Sequence, residues 1–182
     1  MKKKILILSP HADDEILGCG GFISKYSKLN YDINVLILTN ASIGAPEIYS
    51  ADLIKKIRNE AIKANNLIGT KKLFFENLPA LNLNLLPTYK IAKILEKYLS
   101  ECNPEIVLMP SKNDIHDDHK IIFNAAKVAM RLNKKSNLRK ILTYEVLSET
   151  EWNEDENSFN PNYFVALKKS DIDNKVRAFL KY

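Results

Sequence analysis

No stretch of the sequence stays apolar for the roughly 20 residues that a membrane-spanning helix requires, so no span is predicted. The lysines at positions 2–4 resemble the charged start of a secretion signal, but only Ile5, Leu6, Ile7 and Leu8 follow before Ser9. A secretory apolar region needs roughly 7–15 residues, so a first strand is predicted in place of a targeting segment. Cysteine is scarce: Cys19 and Cys102 lie far apart and in no paired motif, a usage that fits a reducing cytoplasm. No basic run carries interleaved aromatics, so nucleic-acid binding has little support. The net charge of +5 is compatible with an anionic small-molecule substrate. Glycine is also rare. "GCGG" (18–21) lacks the third glycine of a dinucleotide fingerprint and falls inside a predicted helix, and the second strand ends at Asn40 and not at an acid. These glycines are read as allowing close packing of that helix, and Cys19 as buried and inert.

What is present describes an ordinary globular chain, with 46% hydrophobic and 27% charged residues. At 182 residues it is long enough for a core of its own, and residues 1–182 are read as a single domain. Short apolar, β-prone runs at 5–8, 33–39, 72–75, 105–110, 140–146 and 163–167 predict strands. Helical spacing predicts helices over 15–29, 51–69 (closed by Gly69), 88–102 and 120–131, with a last helix opening near Ser170. The polar stretch "TEWNEDENSFNPN" (150–162) reads as a long loop. Strands separated by helices imply an α/β fold, with a mostly parallel sheet and helices on both faces. In such sheets ligands gather outside the carboxyl ends of the strands. Strand one ends at "SPHADDE" (9–15), strand two at "TNASIG" (39–44) and strand four at "MPSKNDIHDDHK" (109–120), so all three stretches are predicted to share one rim.

The sequence holds only three histidines, His11, His116 and His119, and all fall within two of these acidic stretches. Zinc takes imidazole nitrogen and carboxylate oxygen, and catalytic sites use three protein ligands with one position open. The two stretches offer enough such groups for that site with an acid left over. Each stretch alone has a bland reading: Asp13 or Asp14 could cap the first helix with Glu15 at its positive end, and His116 and His119 could be loop residues beside acids. With no histidine elsewhere, the metal reading explains both stretches at once.

"PHADDE" followed by "GCGG" and, far downstream, "HDDH" resembles the PIG-L/LmbE-like zinc-dependent N-deacetylases. Further similarity lies in "RNEAIKANNLIG" (58–69), "YEVLSETEW" (144–152), "FNP" (159–161) and "KVRAFLKY" (175–182), so the resemblance covers nearly the whole chain. Ala12 stands where the family usually has proline, a position that supplies no ligand, and relatives usually continue beyond "FLKY" with a segment absent here.

The resemblance implies a Rossmann-like sheet and one zinc per chain, with other divalent metals allowed, held by His11, Asp14 and His119. It also implies that Asp13 is the general base, that His116 faces the oxyanion and that Arg58 contacts substrate. Asp118 is expected to orient His116 and hold its charge. Glu149 and Glu151 are expected to shape the pocket wall or face solvent. The implied activity is removal of an acetyl group from an N-acetylated amino sugar, whether free or nucleotide-, lipid- or thiol-linked. A homo-oligomer is compatible with it. One rival is a metal-dependent phosphoesterase with two metals, which would need carboxylates that this reading already employs. The other is a non-enzymatic nucleotide-binding module, which leaves the histidines unexplained.

Overall fold

The structure, a computed structural model, describes residues 2–132, 137–153 and 159–182. The strands are β1 (Lys4–Ser9), β2 (Asp32–Asn40), β3 (Lys72–Pro79), β4 (Ile106–Pro110) and β5 (Lys140–Tyr144). The helices are α1 (Asp14–Lys28), the single turn α2 (Ala41–Gly44), α3 (Ala51–Ile68), α4 (Thr88–Cys102), α5 (Asp117–Leu132) and α6 (Lys169–Phe179). A strand alternates its side chains between two faces, and β1 and β2 are apolar on both. Ile5, Ile7, Ile33, Val35 and Ile37 pack with Ile16 and Ile23 of α1, Ala61 and Ala64 of α3, and Ala178 of α6. Leu6, Leu8, Leu36 and Leu38 point the other way, onto Ile91, Leu95 and Leu99 of α4 and Ile122, Ala125 and Ala129 of α5. Burial on both faces is why these strands read as continuous apolar runs. Each such side chain contributes about 1.5–3 kcal/mol by leaving water.

The five strands are all parallel, in the order β3-β2-β1-β4-β5, so the fold is α/β with helices on both faces of the sheet, as the alternation implied. The chain winds outward from β1 through β2 to β3, then crosses back to lay β4 on the other side of β1. That reversal opens a crevice at the carboxyl ends of β1 and β4, where the two histidine-bearing stretches emerge. Gly69 ends α3 in the left-handed conformation, with φ 95°, as a C′ glycine does. Gly18 lets α1 approach the end of β5: a side chain there would collide with the ring of Tyr144, whose hydroxyl donates to Leu8 O at 2.8 Å.

Two expectations are corrected. Residues 163–167 form no strand, and among the described residues β5 is the sheet edge. Their aromatic and β-branched composition suits a strand, but their polar groups are engaged elsewhere. Lys25 Nζ of α1 donates to Ala166 O at 2.8 Å, and Lys140 Nζ sits over the Tyr163 ring. Helix α5 begins at Asp117 and not at Lys120, which places Asp118 and His119 in its first turn. In the expected long loop, Thr150–Trp152 form a 3-10 turn, and residues 154–158 lie outside the described residues.

Candidate metal centre

Pro10 follows β1 and cannot continue a ladder of hydrogen bonds, so the chain turns and α1 starts at Asp14. Neither aspartate caps the helix in the ordinary way. Asp13 occupies the cap position with φ 127° and ψ −32°, a conformation uncommon for a residue with a side chain, and its carboxylate makes no capping bond. Asp14 instead turns back, and its Oδ2 accepts from His11 N at 2.8 Å. The second stretch leaves β4 at Pro110. His116 N donates to Asp114 Oδ1 at 2.9 Å, which sets up the first turn of α5.

The two stretches bring three donor atoms together. His11 Nδ1 lies 3.5 Å from Asp14 Oδ2, His119 Nε2 lies 3.2 Å from the same oxygen, and the two imidazole nitrogens are 3.3 Å apart. Metal–ligand distances of about 2.0–2.2 Å in a tetrahedral shell put ligand atoms about 3.3–3.6 Å apart, so this triangle has the size of such a site. His116 also presents a ring nitrogen within 4.8 Å of those of His11 and His119, but its Nδ1 already accepts from Asp118 N at 3.1 Å.

Each imidazole of the triangle leans on a carboxylate at its other nitrogen. His11 Nε2 is 3.0 Å from Asp118 Oδ2, and His119 Nδ1 is 3.0 Å from Asp114 Oδ2 in a contact bent away from ideal hydrogen-bond geometry. Carboxylates in this position fix the ring orientation of metal-binding histidines and raise their basicity. The Asp118 carboxylate therefore serves His11, and not His116 as expected from the sequence. Its Oδ2 also accepts from Leu81 N at 2.8 Å, and that pull toward the loop after β3 turns it away from its sequence neighbour. Asp114, missed in the sequence, is fully buried and accepts from Thr150 Oγ1 at 2.8 Å. Its signal was there to find, as an acid in the same stretch as His119 that could serve as that histidine's carboxylate.

The electrostatics call for a cation. Burial alone would lower the His119 pKa, but Asp114 and Asp14 on either side outweigh it and push it up to about 10. Burial, then the neighbouring Asp14 and Glu15, push Asp13 up to about 7. The cluster holds more negative charge than its burial tolerates, and it compensates by retaining protons. A divalent ion in the triangle would supply that positive charge.

His11, Asp13, Asp14 and His116 line a cleft of about 290 Å³ together with Arg58, Ile54 and Ile57 of α3, Tyr49, Leu81 and Glu149. His119 and Asp118 are buried behind it. Arg58 crosses from α3 over the Phe75 ring, and its Nη2 donates to Glu76 O at 2.6 Å and Asn77 Oδ1 at 2.8 Å. Glu149 reaches the cleft wall, while Glu151 is exposed and accepts from Ser148 N. Cys19 is buried and its thiol pKa is raised by that burial.

Over 123 residues the chain is 30% identical to a diacetylchitobiose deacetylase of Thermococcus kodakarensis, a match covering 65% of this chain and 45% of that protein. It is 26% identical to a probable N-acetyl-alpha-D-glucosaminyl L-malate deacetylase of Bacillus anthracis, over 65% of this chain and 55% of the other. The chain thus spans about half the length of these relatives. The N,N'-diacetylchitobiose deacetylase of Pyrococcus horikoshii shares the fold with a TM-score of 0.77 at 24% identity, over 98% of this chain and 69% of that one. Residues 6–130 match the family described as GlcNAc-PI de-N-acetylase, PIG-L, a span that holds every donor of the triangle and both supporting carboxylates; the chain belongs to that family.

Proposed function

We propose that the protein is a zinc-dependent N-deacetylase that removes the acetyl group from an N-acetylated amino sugar or its conjugate in the cytoplasm. The observation that carries the reading is the His11–Asp14–His119 triangle with the Asp13 carboxylate beside it and uncommitted to the helix. His11, Asp14 and His119 would hold the ion, a nitrogen- and carboxylate-rich set that suits zinc. A bound zinc would acidify a water and polarise the amide carbonyl. The remaining chemistry belongs to the chain. Asp13 takes the proton from the attacking water and passes it to the departing amine, a role for which its carboxylate, making no bond to the helix, is placed. His116 accepts at Nδ1 from Asp118 N, which leaves Nε2 to carry the hydrogen and donate to the developing oxyanion. Arg58 presents a guanidinium across the cleft for a sugar hydroxyl or a linked phosphate. The apolar wall of Ile54, Ile57 and Leu81 would face the rest of the substrate.

The test is acetate release from a panel of N-acetyl amino sugars, free and conjugated, by protein that is metal-loaded, chelated and then reloaded with zinc. Acetate release that follows the metal is expected. Release of phosphate from phosphoesters, with no acetate from any amide, would overturn the reading.

A further inference from the structure

Glu15 is fully buried in the first turn of α1, and among the described residues its carboxylate pairs with no cation. Three neutral donors from three parts of the chain converge on it. Oε2 accepts from Asp13 N at 3.0 Å, and the Ser9 hydroxyl, which donates to His11 O at 2.6 Å, lies 3.3 Å away. Oε1 accepts from Asn65 Nδ2 of α3 at 2.8 Å and from the Tyr182 hydroxyl, beyond α6, at 2.6 Å. Asn65 is itself locked, because its Oδ1 accepts from Thr70 Oγ1 and its Nδ2 also donates to Ala61 O. An acid near a helix start gains from the dipole while exposed, so favourable charge alone gives no reason to bury it. Burying a carboxylate with no counter-charge is costly unless hydrogen bonds satisfy it. The bonds are present, and one of them falls on the residue with the uncommon backbone.

Asp13, with φ 127°, is tied on both sides: its carbonyl accepts from Ile16 N and Leu17 N at 2.8 Å, and its N–H donates to Glu15 Oε2. Since its side chain makes no bond to the helix, the backbone sets where its carboxylate points. Sparsely populated conformations persist when the surroundings over-determine them. We infer that Glu15 is a positioning residue that holds Asp13 in its working orientation, and that Asn65 and Tyr182 are its anchors. The segment that follows α6 thereby reaches the site through one hydroxyl. The inference rests on Asp13 being the proton acceptor of the deacetylase.

The experiment compares metal-loaded wild type with Glu15→Ala, Glu15→Gln and Tyr182→Phe, reading amide hydrogen exchange at Asp13, metal content, kcat and KM. In Glu15→Ala the Asp13 amide should exchange at least about tenfold faster while the amides of Leu6–Leu8 keep their protection. Its kcat should fall by roughly 10- to 100-fold, as a misplaced reacting group requires, with KM and metal content unchanged. Glu15→Gln retains one oxygen for the Asp13 N–H and should recover part of the loss. Tyr182→Phe leaves Oε2 untouched and should lower kcat by only a few fold. Unchanged exchange at Asp13, unchanged kcat, or loss of metal in step with activity would each overturn the assignment. If Glu15→Ala does not fold, the same readings on the other two variants decide it. If wild type releases no acetate, the deacetylase reading fails on that result alone, and the exchange comparison still decides whether Glu15 holds Asp13.

Discussion

The stretch after β1 and the stretch after β4 are both short, acidic and closed by a helix, yet they use their acids differently. After β1 the acids take backbone N–H groups of their own turn, Asp14 that of His11 and Glu15 that of Asp13, and Asp14 also faces the inner nitrogens of both imidazoles. After β4 the acids take backbone N–H groups too, but each also reaches the outer nitrogen of an imidazole: Asp114 that of His119, and Asp118 that of His11. An acid that binds backbone shapes a loop, whereas one that binds a ring nitrogen orients a metal ligand. On the proposed function, the second stretch therefore positions the metal donors of both, and Asp13 in the first is left for proton transfer. The same residue types at similar spacing thus carry separate tasks, and substitutions can separate them.

Removing the metal should strike both stretches at once and have the largest effect. Chelation is expected to abolish turnover, with recovery on adding zinc. It should also leave a pH signature in stability. His119 in the metal-free fold has its pKa raised from 6.5 to about 10, so the stability it contributes is complete below pH 6.5 and lost as pH rises through about 10. Asp13 is raised from 3.8 to about 7, so its contribution is likewise lost as pH rises through about 7. Both run in one direction. Thermal melts of chelated protein should show Tm falling from near neutrality to about pH 10, and stabilisation by zinc should grow over the same window as ligands lose protons. A metal-free Tm that climbs over that window would contradict the arrangement of charges described here.

Asp13→Asn is the next largest. It should lower kcat by about 10²- to 10⁴-fold, the usual contribution of a general base, while one metal per chain is retained. If metal content fell with activity, the two stretches would not divide the work as described. The supporting acids should behave in the opposite way. Asp114→Asn and Asp118→Asn should each weaken metal affinity by about 10- to 100-fold, measured by competition with a chelating dye, with turnover largely restored by excess metal. For Asp118 this is a direct test of its partner. Lost turnover at saturating metal with unchanged affinity would mean that it acts through His116, as its place in the sequence suggested.

That reassignment marks where sequence reading stops. The three histidines stood out because they are scarce and sit at strand ends, and the α/β alternation placed those ends on one rim. Carboxylates are common, 22 in this chain, so rarity could not single out Asp114. Asp118 was paired with its near neighbour, but its partner is 107 positions away, and Glu15 meets Tyr182 across 167. Contacts at such separations depend on how α5 and α6 dock, which no local pattern encodes. Residues 163–167 fail for a related reason. Strand propensity describes fit to a pleated surface, and a segment becomes a strand only where a neighbour offers hydrogen bonds.

Arg58 lies outside both stretches and tests whether the cleft extends beyond them. Its guanidinium already donates to Glu76 O and Asn77 Oδ1 and stacks on Phe75, so a purely structural role would be satisfied by those contacts. It also lines the cleft with His11 and Asp13, and a guanidinium has five N–H donors to share. Arg58→Ala is therefore expected to raise KM by about tenfold, the lower end of what a hydrogen bond to a charged group supplies, because the side chain is only half-buried. The kcat and metal content should stay near wild type, since Arg58 touches no donor of the triangle. Arg58→Lys should not restore KM, because an ammonium keeps the charge and loses the planar fork held by Asn77 and the Phe75 ring. A lower Tm with KM unchanged would assign Arg58 to bracing α3 against β3. A raised KM with the stability intact would place the substrate against α3, outside both metal-binding stretches.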